Sequence, residues 1–339
     1  MNLLKRLFGS GQPTQTPFAQ EDHARVELKW YSDTTVPLPD WQDAWSLAPS
    51  RSDESALKRF WWSAALTWLG ALRNHVGEHY SIEGSNCFAL LSPLDPRQRT
   101  LLLEFCERAR ARILRTLEGI ASGWGHGPHV VLVFEDVDAY YDYIGNYYPK
   151  SGVFGMSSGM FIKRGYGHFV FVASEMSEME PIIAHELTHC LLAPLKIPAW
   201  LNEGTAVNME KQLCPGAVDR HRGIFVHREA ARRRAEFWNA ETIQEFWSGK
   251  SFNRPDEGCS LSYELAEELT KLIARDYTLY RSYMNDAQLD DAGASAARQV
   301  FGCPLEEFVT AILGEGDWAP DPAKWRDGTA QGQFREMQA

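Results

Sequence analysis

The length of 339 residues and the formal net charge of -11 limit the kinds of protein that this chain can be. With 44% hydrophobic and 12% aromatic residues it can bury a large core, in one large domain or two lobes, which excludes global disorder. The acidic balance argues against nucleic acid as the main partner, because phosphate binding needs clustered positive charge. We interpret the one basic run as the solvated face of a helix; it comprises Arg228, Arg232, Arg233 and Arg234.

The sequence predicts a cytoplasmic protein without a membrane span. Its first residues, Met1–Phe8, include Lys5 and Arg6 and contain no apolar run of the length that a secretory signal needs. The most hydrophobic stretch, Phe60–Leu72, is too short to cross a bilayer, so we expect a buried core helix. The scattered cysteines, with no CxxC pair, are typical of reduced thiols; they are Cys87, Cys106, Cys190, Cys214, Cys259 and Cys303. The oligomeric state stays open.

The N-terminal quarter is predicted to hold one long helix between irregular segments. Residues 1–22 are rich in Gly, Pro, Thr and Gln and are expected to be a flexible leader. Residues 23–84 are expected to form a helical and irregular region. Within it, residues 23–52 are predicted to be irregular, and Asp53 to about Val76 is predicted to be a buried helix because it is apolar on most sides.

Strands are predicted before a mainly helical half, which favours an α+β fold over an alternating doubly wound sheet. Strands are expected at Asn86–Leu91, at the β-branched segment His129–Phe134, and at 152–160 and 168–173. Asp95 as cap and Pro96 in the first turn predict a helix that runs to about Ile120. Further helices are predicted at 178–192, 199–213, 219–238, 241–247, 261–275 and 304–313.

These elements suggest one lobe at 85–215 that contains the predicted strands, a helical lobe at 216–313 and a tail at 314–339. The tail is rich in Gly and Pro, but it contains Trp318 and Trp325, which we expect to pin it to the body.

The motif that carries chemistry is His-Glu-Leu-Thr-His at 185–189. On a helix, residues four apart lie on one face, so His185 and His189 can share one metal ion. Glu186 directly follows the first ligand, His185, and its side chain can hydrogen-bond a water molecule beside the metal ion without binding the metal itself. We predict that this helix begins near Glu180 and Pro181, with Ser177 and Glu180 as a possible capping box, and that it ends before Pro194.

A third ligand is expected, because a catalytic zinc needs three protein ligands and one open position. Glu203 follows in the segment PAWLNEGTA, where Pro198 can open a second helix that carries Glu203 in its first two turns. The short link from Ala193 to Ile197 can fold this helix back, so that Glu203 faces the two histidines.

The segments HELTH and WLNEGTA together resemble the gluzincin metallopeptidases of the peptidase-MA-like superfamily. The resemblance covers roughly residues 129–213, extends more loosely to about 313 and does not include the residues before 85. It implies a mixed sheet above the active-site helix, with a helical lobe that closes the cleft (a zincin-like fold). It also implies Zn²⁺ ligands at His185, His189 and Glu203, and a general base at Glu186 that serves hydrolysis of a peptide or protein substrate.

The resemblance leaves the second oxyanion donor open. Family members often use a Tyr or His from the helical lobe, and Tyr263 resembles such a Tyr in position, with His227 as a weaker candidate. The alternative is that Tyr263 only packs its ring and bonds its hydroxyl locally.

The strand near Gly155–Met160 is expected to lie at an edge. There it either pairs with an extended peptide or forms an ordinary edge hairpin. Gly159-Met160 is followed by Phe161, so the acidic Gly-x-Met-Glu-Asn signature of gluzincin aminopeptidases is missing and aminopeptidase specificity is not expected.

A second zinc-protease pattern, the inverted HxxEH, occurs at His75–His79. Gly77 weakens a helix interior there, and no downstream Glu has the context of Glu203, so we predict solvated histidines at a helix end. Three other histidines are predicted to be polar structure near strands, and one acidic group is predicted to be a solvated turn. These are His126, His129 and His168, and Glu135, Asp136 and Asp138.

Three hypotheses therefore stand for the HELTH segment. The first is a zinc-dependent peptidase, favoured because Glu186 has little use in a purely structural site. The second is a non-catalytic zinc-binding protein of the same fold that acts as a binding or scaffold module. The third is a structural zinc site, which needs a fourth protein ligand that the sequence does not offer.

Overall fold

The structure, a computed structural model, describes residues 26–123, 125–148, 159–216 and 227–325. The predicted leader, most of the predicted strand 152–160, the start of the predicted helix 219–238 and the tail beyond Trp325 lie outside the described residues.

The described residues form five strands, twelve α-helices and three short 3-10 helices. The strands are β1 (Ser81–Gly84), β2 (Phe88–Ser92), β3 (His129–Phe134), β4 (Gly159–Ile162) and β5 (His168–Val172). The first six helices are α1 (Trp41–Leu47), α2 (Glu54–Val76), α3 (Pro96–Thr116), α4 (Val137–Gly145), α5 (Met176–Leu192) and α6 (Ala199–Leu213). The other six are α7 (His227–Phe237), α8 (Thr242–Trp247), α9 (Gly258–Ile273), α10 (Tyr277–Asp286), α11 (Ala294–Phe301) and α12 (Leu305–Leu313). The 3-10 helices are Lys250–Asn253, Leu289–Asp291 and Pro322–Trp325.

The five strands form one mixed sheet in the order β1-β2-β3-β5-β4, which confirms the predicted α+β class. The central pairs β2–β3 and β3–β5 are parallel, and the outer strands β1 and β4 are antiparallel to their neighbours. In the last pair, Phe161 of β4 is opposite Phe169 of β5. Among the described strands, β4 has a neighbour on one side only, so its other side is an open edge of the sheet.

Both faces of the sheet are covered, because alternate residues of a strand point to opposite sides. On one face Val131 and Val133 belong to a core that also holds buried residues of α3, α5, α6 and α9. On the other face Val130 and Leu132 pack with residues of α2 and α4. The sheet thus separates the HELTH helix α5 from the long N-terminal helix α2. The larger core draws on both predicted lobes, and the lobe boundary stays a prediction.

Local sequence signals explain several helix boundaries. Asp95 accepts a hydrogen bond from the backbone N–H of Gln98, whose side chain in turn accepts one from the N–H of Asp95, a capping box at the start of α3. Asp53 caps α2, whose central residues are buried as predicted. No helix in the described ranges has both the length and the apolar character that crossing a membrane requires.

Two local predictions are wrong. The segment 23–52 is not irregular throughout, because Asp40 accepts from two backbone N–H groups and starts the helix α1. The HELTH helix begins at Met176, earlier than predicted, so Pro181 lies inside it and Ser177 forms no cap. The expected tail contact is confirmed: Trp318 and Trp325 are buried, and Trp325 donates from its indole N–H to Gln244 at 3.0 Å.

Candidate metal centre

Helices α5 and α6 carry the predicted ligands, and they pack directly against each other. The link between them is the short segment Ala193–Pro198, and α6 begins directly after Pro198, where the sequence predicts a helix start. Proline fits there because the first helical residues have no intrahelical partner for a backbone N–H. Gly204 lets α6 approach α9 closely, since a Cβ atom at this position would lie 2.2 Å from the backbone oxygen of Ala266.

This packing brings the three predicted ligands together. One carboxylate oxygen of Glu203, Oε2, lies 3.2 Å from Nε2 of His185 and 3.4 Å from Nε2 of His189. Ligand atoms of the three residues all lie within 4.8 Å of one another. No fourth His, Cys, Asp or Glu joins this group in the part of the chain that the structure describes.

These separations suit a zinc ion. Two ligands that each bind Zn²⁺ at about 2.0–2.1 Å in a tetrahedral arrangement are roughly 3.3 Å apart. The two Nε2–Oε2 distances, 3.2 and 3.4 Å, bracket that value. The three side chains are 14–16% exposed, so the cluster is recessed but still reached by solvent. A donor set of two imidazoles and one carboxylate therefore fits the metal that the motif implies.

Glu210, which the sequence analysis did not single out, completes the surroundings of His185. Its Oε2 lies 3.1 Å from Nδ1 of His185, on the side of the ring away from Glu203. Glu210 is seven residues after Glu203 on α6, so two helical turns place both carboxylates on one face. This seven-residue spacing is the sequence signal that could have identified Glu210 as a neighbour of the ligands. A carboxylate at Nδ1 keeps the proton there and turns Nε2 toward the metal position.

The charges around the ligands favour a cation at their centre. Burial alone would lower the pKa of His185, but hydrogen bonds to Glu203 and Glu210 outweigh it and raise that pKa to about 10. Burial also acts against the charged form of Glu203, yet the two imidazoles hold the pKa of this carboxyl far below its usual range. Two acidic groups thus stabilise positive charge on the rings or between them.

Glu186 does not face the ligand group alone; it also contacts the sheet. Its Oε2 accepts a hydrogen bond from the backbone N–H of Phe161 in β4, at 2.8 Å. Because this N–H bonds to Glu186, it is not used in the pairing of β4 with β5 and points out from the open side of β4. Burial raises the pKa of Glu186, although His189 and His185 oppose the shift. A carboxylate at an open strand edge next to two imidazoles can exchange protons there.

Tyr263 projects from α9 toward the same cluster. Its ring centre is 6.4 Å from that of His185, and its ring also packs edge-on against Phe252 at 5.1 Å. The charge of Glu203 and burial raise the pKa of Tyr263 well above its ordinary value, so the hydroxyl stays protonated and can donate. The weaker candidate His227 begins α7, and its side chain lies outside the described residues.

The second zinc-protease pattern is not assembled. Gly77, with a φ of +123°, ends α2 after Val76, so His75 and His79 do not share a helix face. His79 instead contacts Glu135 at 3.1 Å on the surface.

The other polar residues have structural partners. His129 accepts from Arg110, and burial followed by the charge of Arg110 lowers its pKa to about 4. The side chain of Asp136 caps α4. Two arginines of the basic run on α7 form ion pairs, Arg233 with Glu257 and Arg234 with Glu264.

Two buried polar atoms beside the ligands have no hydrogen-bond partner among the described residues. They are Nδ1 of His189 and Oδ1 of Asn202, the residue before Glu203.

Comparison with protein-family models and with curated proteins gives no match for this chain. The resemblance to gluzincins therefore depends on the two motifs and on the geometry of the residues they contain.

Proposed function

We propose that this protein is a zinc-dependent peptidase of the gluzincin type. His185, His189 and Glu203 would hold the metal, and Glu186 would act as the general base. The observation that carries the proposal is that Oε2 of Glu203 lies 3.2 and 3.4 Å from the Nε2 atoms of the two histidines. The ligand group has three protein members within the described ranges, which leaves a position for water or substrate and argues against a structural site.

The metal would supply Lewis acidity, which acidifies water and polarises a carbonyl group. The proton transfers belong to Glu186. Its carboxylate takes a proton from the attacking water and delivers it to the nitrogen of the leaving amine as the peptide bond breaks. Burial raises the pKa of Glu186, which makes its carboxylate a stronger base than that of an exposed glutamate and favours the first of these transfers. Glu210 would keep the ring of His185 in one orientation throughout.

Tyr263 would assist at the developing oxyanion. Its hydroxyl remains protonated because Glu203 and burial raise its pKa, so it can donate a hydrogen bond to an oxygen that gains negative charge. Its contact with Phe252 fixes the ring and is compatible with a purely packing role. A Tyr263→Phe variant separates the two roles, because it keeps the ring and removes the donor.

The open side of β4 would hold the substrate chain. An extended peptide can pair with a strand edge through main-chain hydrogen bonds. The N–H of Phe161 belongs to that edge, and it is bonded to Glu186, the residue assigned as base. A peptide paired there would present a carbonyl group next to the catalytic carboxylate.

The variant Glu186→Gln tests the enzyme hypothesis. It removes the basic oxygen but retains a side chain of similar size outside the ligand set. We expect zinc content near wild type and a loss of peptide hydrolysis of at least about 10²-fold, measured on a broad peptide library. The matched control is Glu178→Gln, an exposed glutamate in the first turn of the same helix, which should keep full activity.

Two outcomes would contradict the proposal. Equal hydrolysis by Glu186→Gln and wild type removes Glu186 from catalysis. Normal zinc binding with no hydrolysis by wild type across the library favours the second hypothesis, a non-catalytic zinc-binding scaffold.

A further inference from the structure

The backbone N–H of Phe161 is bonded to the side chain that the proposed function assigns as the general base. It donates to Oε2 of Glu186 at 2.8 Å. Among the described strands, β4 pairs only with β5, and this N–H points to the other side of β4. It is therefore a donor that an extended peptide would use on pairing with β4. Glu186 and such a peptide compete for the same hydrogen.

The packing of α5 against β4 fixes the contact between Glu186 and Phe161. A Cβ atom at Gly159 would lie 2.8 Å from Cγ2 of Ile182, so the absence of a side chain lets the strand lie this close to the helix. Ile182 and Glu186 are four residues apart on α5, a rise of about 6 Å. Gly159 and Phe161 are two residues apart on β4, a span of about 6–7 Å. The two contacts match in spacing and hold the strand and the helix in register.

Pairing of a peptide with this edge uses both backbone groups of Phe161. The N–H and C=O of a strand residue point to the same side, and two residues that are opposite each other in an antiparallel hydrogen-bonded pair exchange both bonds. The peptide residue opposite Phe161 would accept from its N–H and donate to its C=O. Because a backbone N–H has one hydrogen, a strong bond to the peptide displaces Oε2 of Glu186.

We propose that an extended peptide, on pairing with β4, releases Glu186 from Phe161 and so makes the base available. The carbonyl oxygen of the peptide replaces Oε2 of Glu186, and the freed carboxylate turns toward the ligand group, since Glu186 directly follows His185. This inference rests on the proposed function and specifies its substrate class. Peptides long enough to pair with β4 are cleaved, whereas short amides that reach only the ligand group are cleaved slowly. Phe161 is a positioning residue that acts through its backbone.

Peptide binding to two inactive variants tests the competition without any hydrolysis. Glu186→Gln keeps an oxygen that can accept from the N–H of Phe161, Glu186→Ala removes it, and both lack the charge. The probe is a fluorescein-labelled decapeptide, the tightest binder of a random library, followed by fluorescence anisotropy. We expect Glu186→Ala to bind it about threefold to tenfold more tightly than Glu186→Gln, the effect of one hydrogen bond.

Removal of the N–H should cancel this difference. Phe161→Pro lacks the donor, and proline is tolerated at a strand edge where the missing N–H faces away from the ladder. In this background Glu186→Ala and Glu186→Gln should bind the decapeptide equally. Phe161→Ala is the matched control, because it keeps the N–H and loses only the ring. Where Phe161→Pro does not fold, an ester in place of the Phe161 amide, introduced as phenyllactic acid, removes the same hydrogen.

Hydrolysis supplies a second readout. A series of peptides lengthened one residue at a time on each side of the cleaved bond should show a step in kcat of about tenfold where the residue opposite Phe161 is added. Phe161→Pro should remove the step and cleave the shortest peptides faster than Phe161→Ala does, a gain that a misfolded variant cannot give.

The two readouts separate this inference from the peptidase itself. Tighter binding by Glu186→Ala that Phe161→Pro cancels supports the competition, even where wild type cleaves no peptide and the peptidase proposal fails. Equal binding by the two variants, tighter binding by Glu186→Gln, no peptide binding at all, or a difference that survives Phe161→Pro overturns it. Hydrolysis by wild type without a step in kcat along the series also overturns it.

Discussion

The carboxylate of Glu210 lies 3.1 Å from Nδ1 of His185 and outside the predicted ligand set. Hydrogen-bond acceptors at the far nitrogen of a metal-bound imidazole fix its tautomer and raise its basicity. We therefore expect Glu210→Gln to weaken zinc binding by about 10–100-fold without abolishing it, measured by competition with a chelator of known affinity. Glu178→Gln serves as the control and should bind zinc as wild type does. Unchanged affinity in Glu210→Gln would show that the His185 ring needs no such support.

His168 gives a residue-scale prediction away from the centre. It is fully buried, accepts from the hydroxyl of Tyr143 at 2.8 Å, and burial lowers its pKa to about 4. The unfolded chain takes up a proton at His168 below about pH 6.5, whereas the folded chain does not until about pH 4, so acid favours unfolding in this window. Lowering the pH from 7.5 to 4.5 should cost up to about 2–3 kcal/mol through this group alone.

Chemical denaturation at the two pH values measures this contribution. His168→Gln should lose less stability on acidification than wild type, although it starts from a less stable protein. The exposed His75→Gln is the control and should follow wild type. The explanation is wrong if wild type and His168→Gln lose the same free energy of unfolding.

At the scale of elements, the position of Glu203 depends on how closely α6 approaches α9. A methyl group at Gly204 would lie 2.2 Å from the backbone oxygen of Ala266 and 2.3 Å from the hydroxyl of Thr270. Gly204→Ala must push the helices apart, so we expect a loss of about 1–3 kcal/mol in stability and weaker zinc binding, since Glu203 moves with α6.

The control for this substitution is Gly70→Ala in α2, where an added Cβ meets no atom within 4 Å. There alanine should stabilise the helix by roughly 0.5–1 kcal/mol. Denaturant unfolding and zinc titration of both variants provide the comparison. Equal stability of the two variants would show that the space between α6 and α9 can accommodate a methyl group at residue 204.

Strong local signals made several elements predictable. The β-branched run His129–Phe134 coincides with β3, and the Asp95 and Pro96 pair marks the start of α3. The start of α5 was not predictable from the same rules, because Pro181 looks like a first-turn residue but lies within a helix that begins at Met176. The helix α1 was missed because proline-rich flanks conceal the cap at Asp40.

The site residues also divide into those that local sequence patterns predict and those whose contacts depend on tertiary packing. The spacing within HELTH places His185 and His189 on one helix face, and Pro198 opens the helix that carries Glu203. The edge position of the strand near Gly159 was expected, but the contact of Glu186 with Phe161 depends on how α5 packs against β4, which sequence patterns do not give. Glu210 lies within the predicted helix 199–213, but its contact with Nδ1 of His185 depends on how α5 and α6 pack, which the spacing alone does not give.

For the whole molecule, the mixed sheet with helices on both faces separates the candidate centre from the helices α2 and α4. The larger core surrounds α5, α6 and α9, while α2 and α4 cover the opposite face. This arrangement holds two histidines and one glutamate from consecutive helices at a recessed position beside an open strand edge. Every functional proposal above depends on a cation being held at that position.

The most direct test is the zinc content of purified wild type, Glu203→Ala and the control Glu178→Ala, measured by elemental analysis after dialysis. We expect about one zinc per chain in wild type and in Glu178→Ala, and a clear loss in Glu203→Ala, because two imidazoles alone hold the ion weakly. Wild-type zinc content in Glu203→Ala, or no zinc in any of the three proteins, would contradict the assignment of this centre.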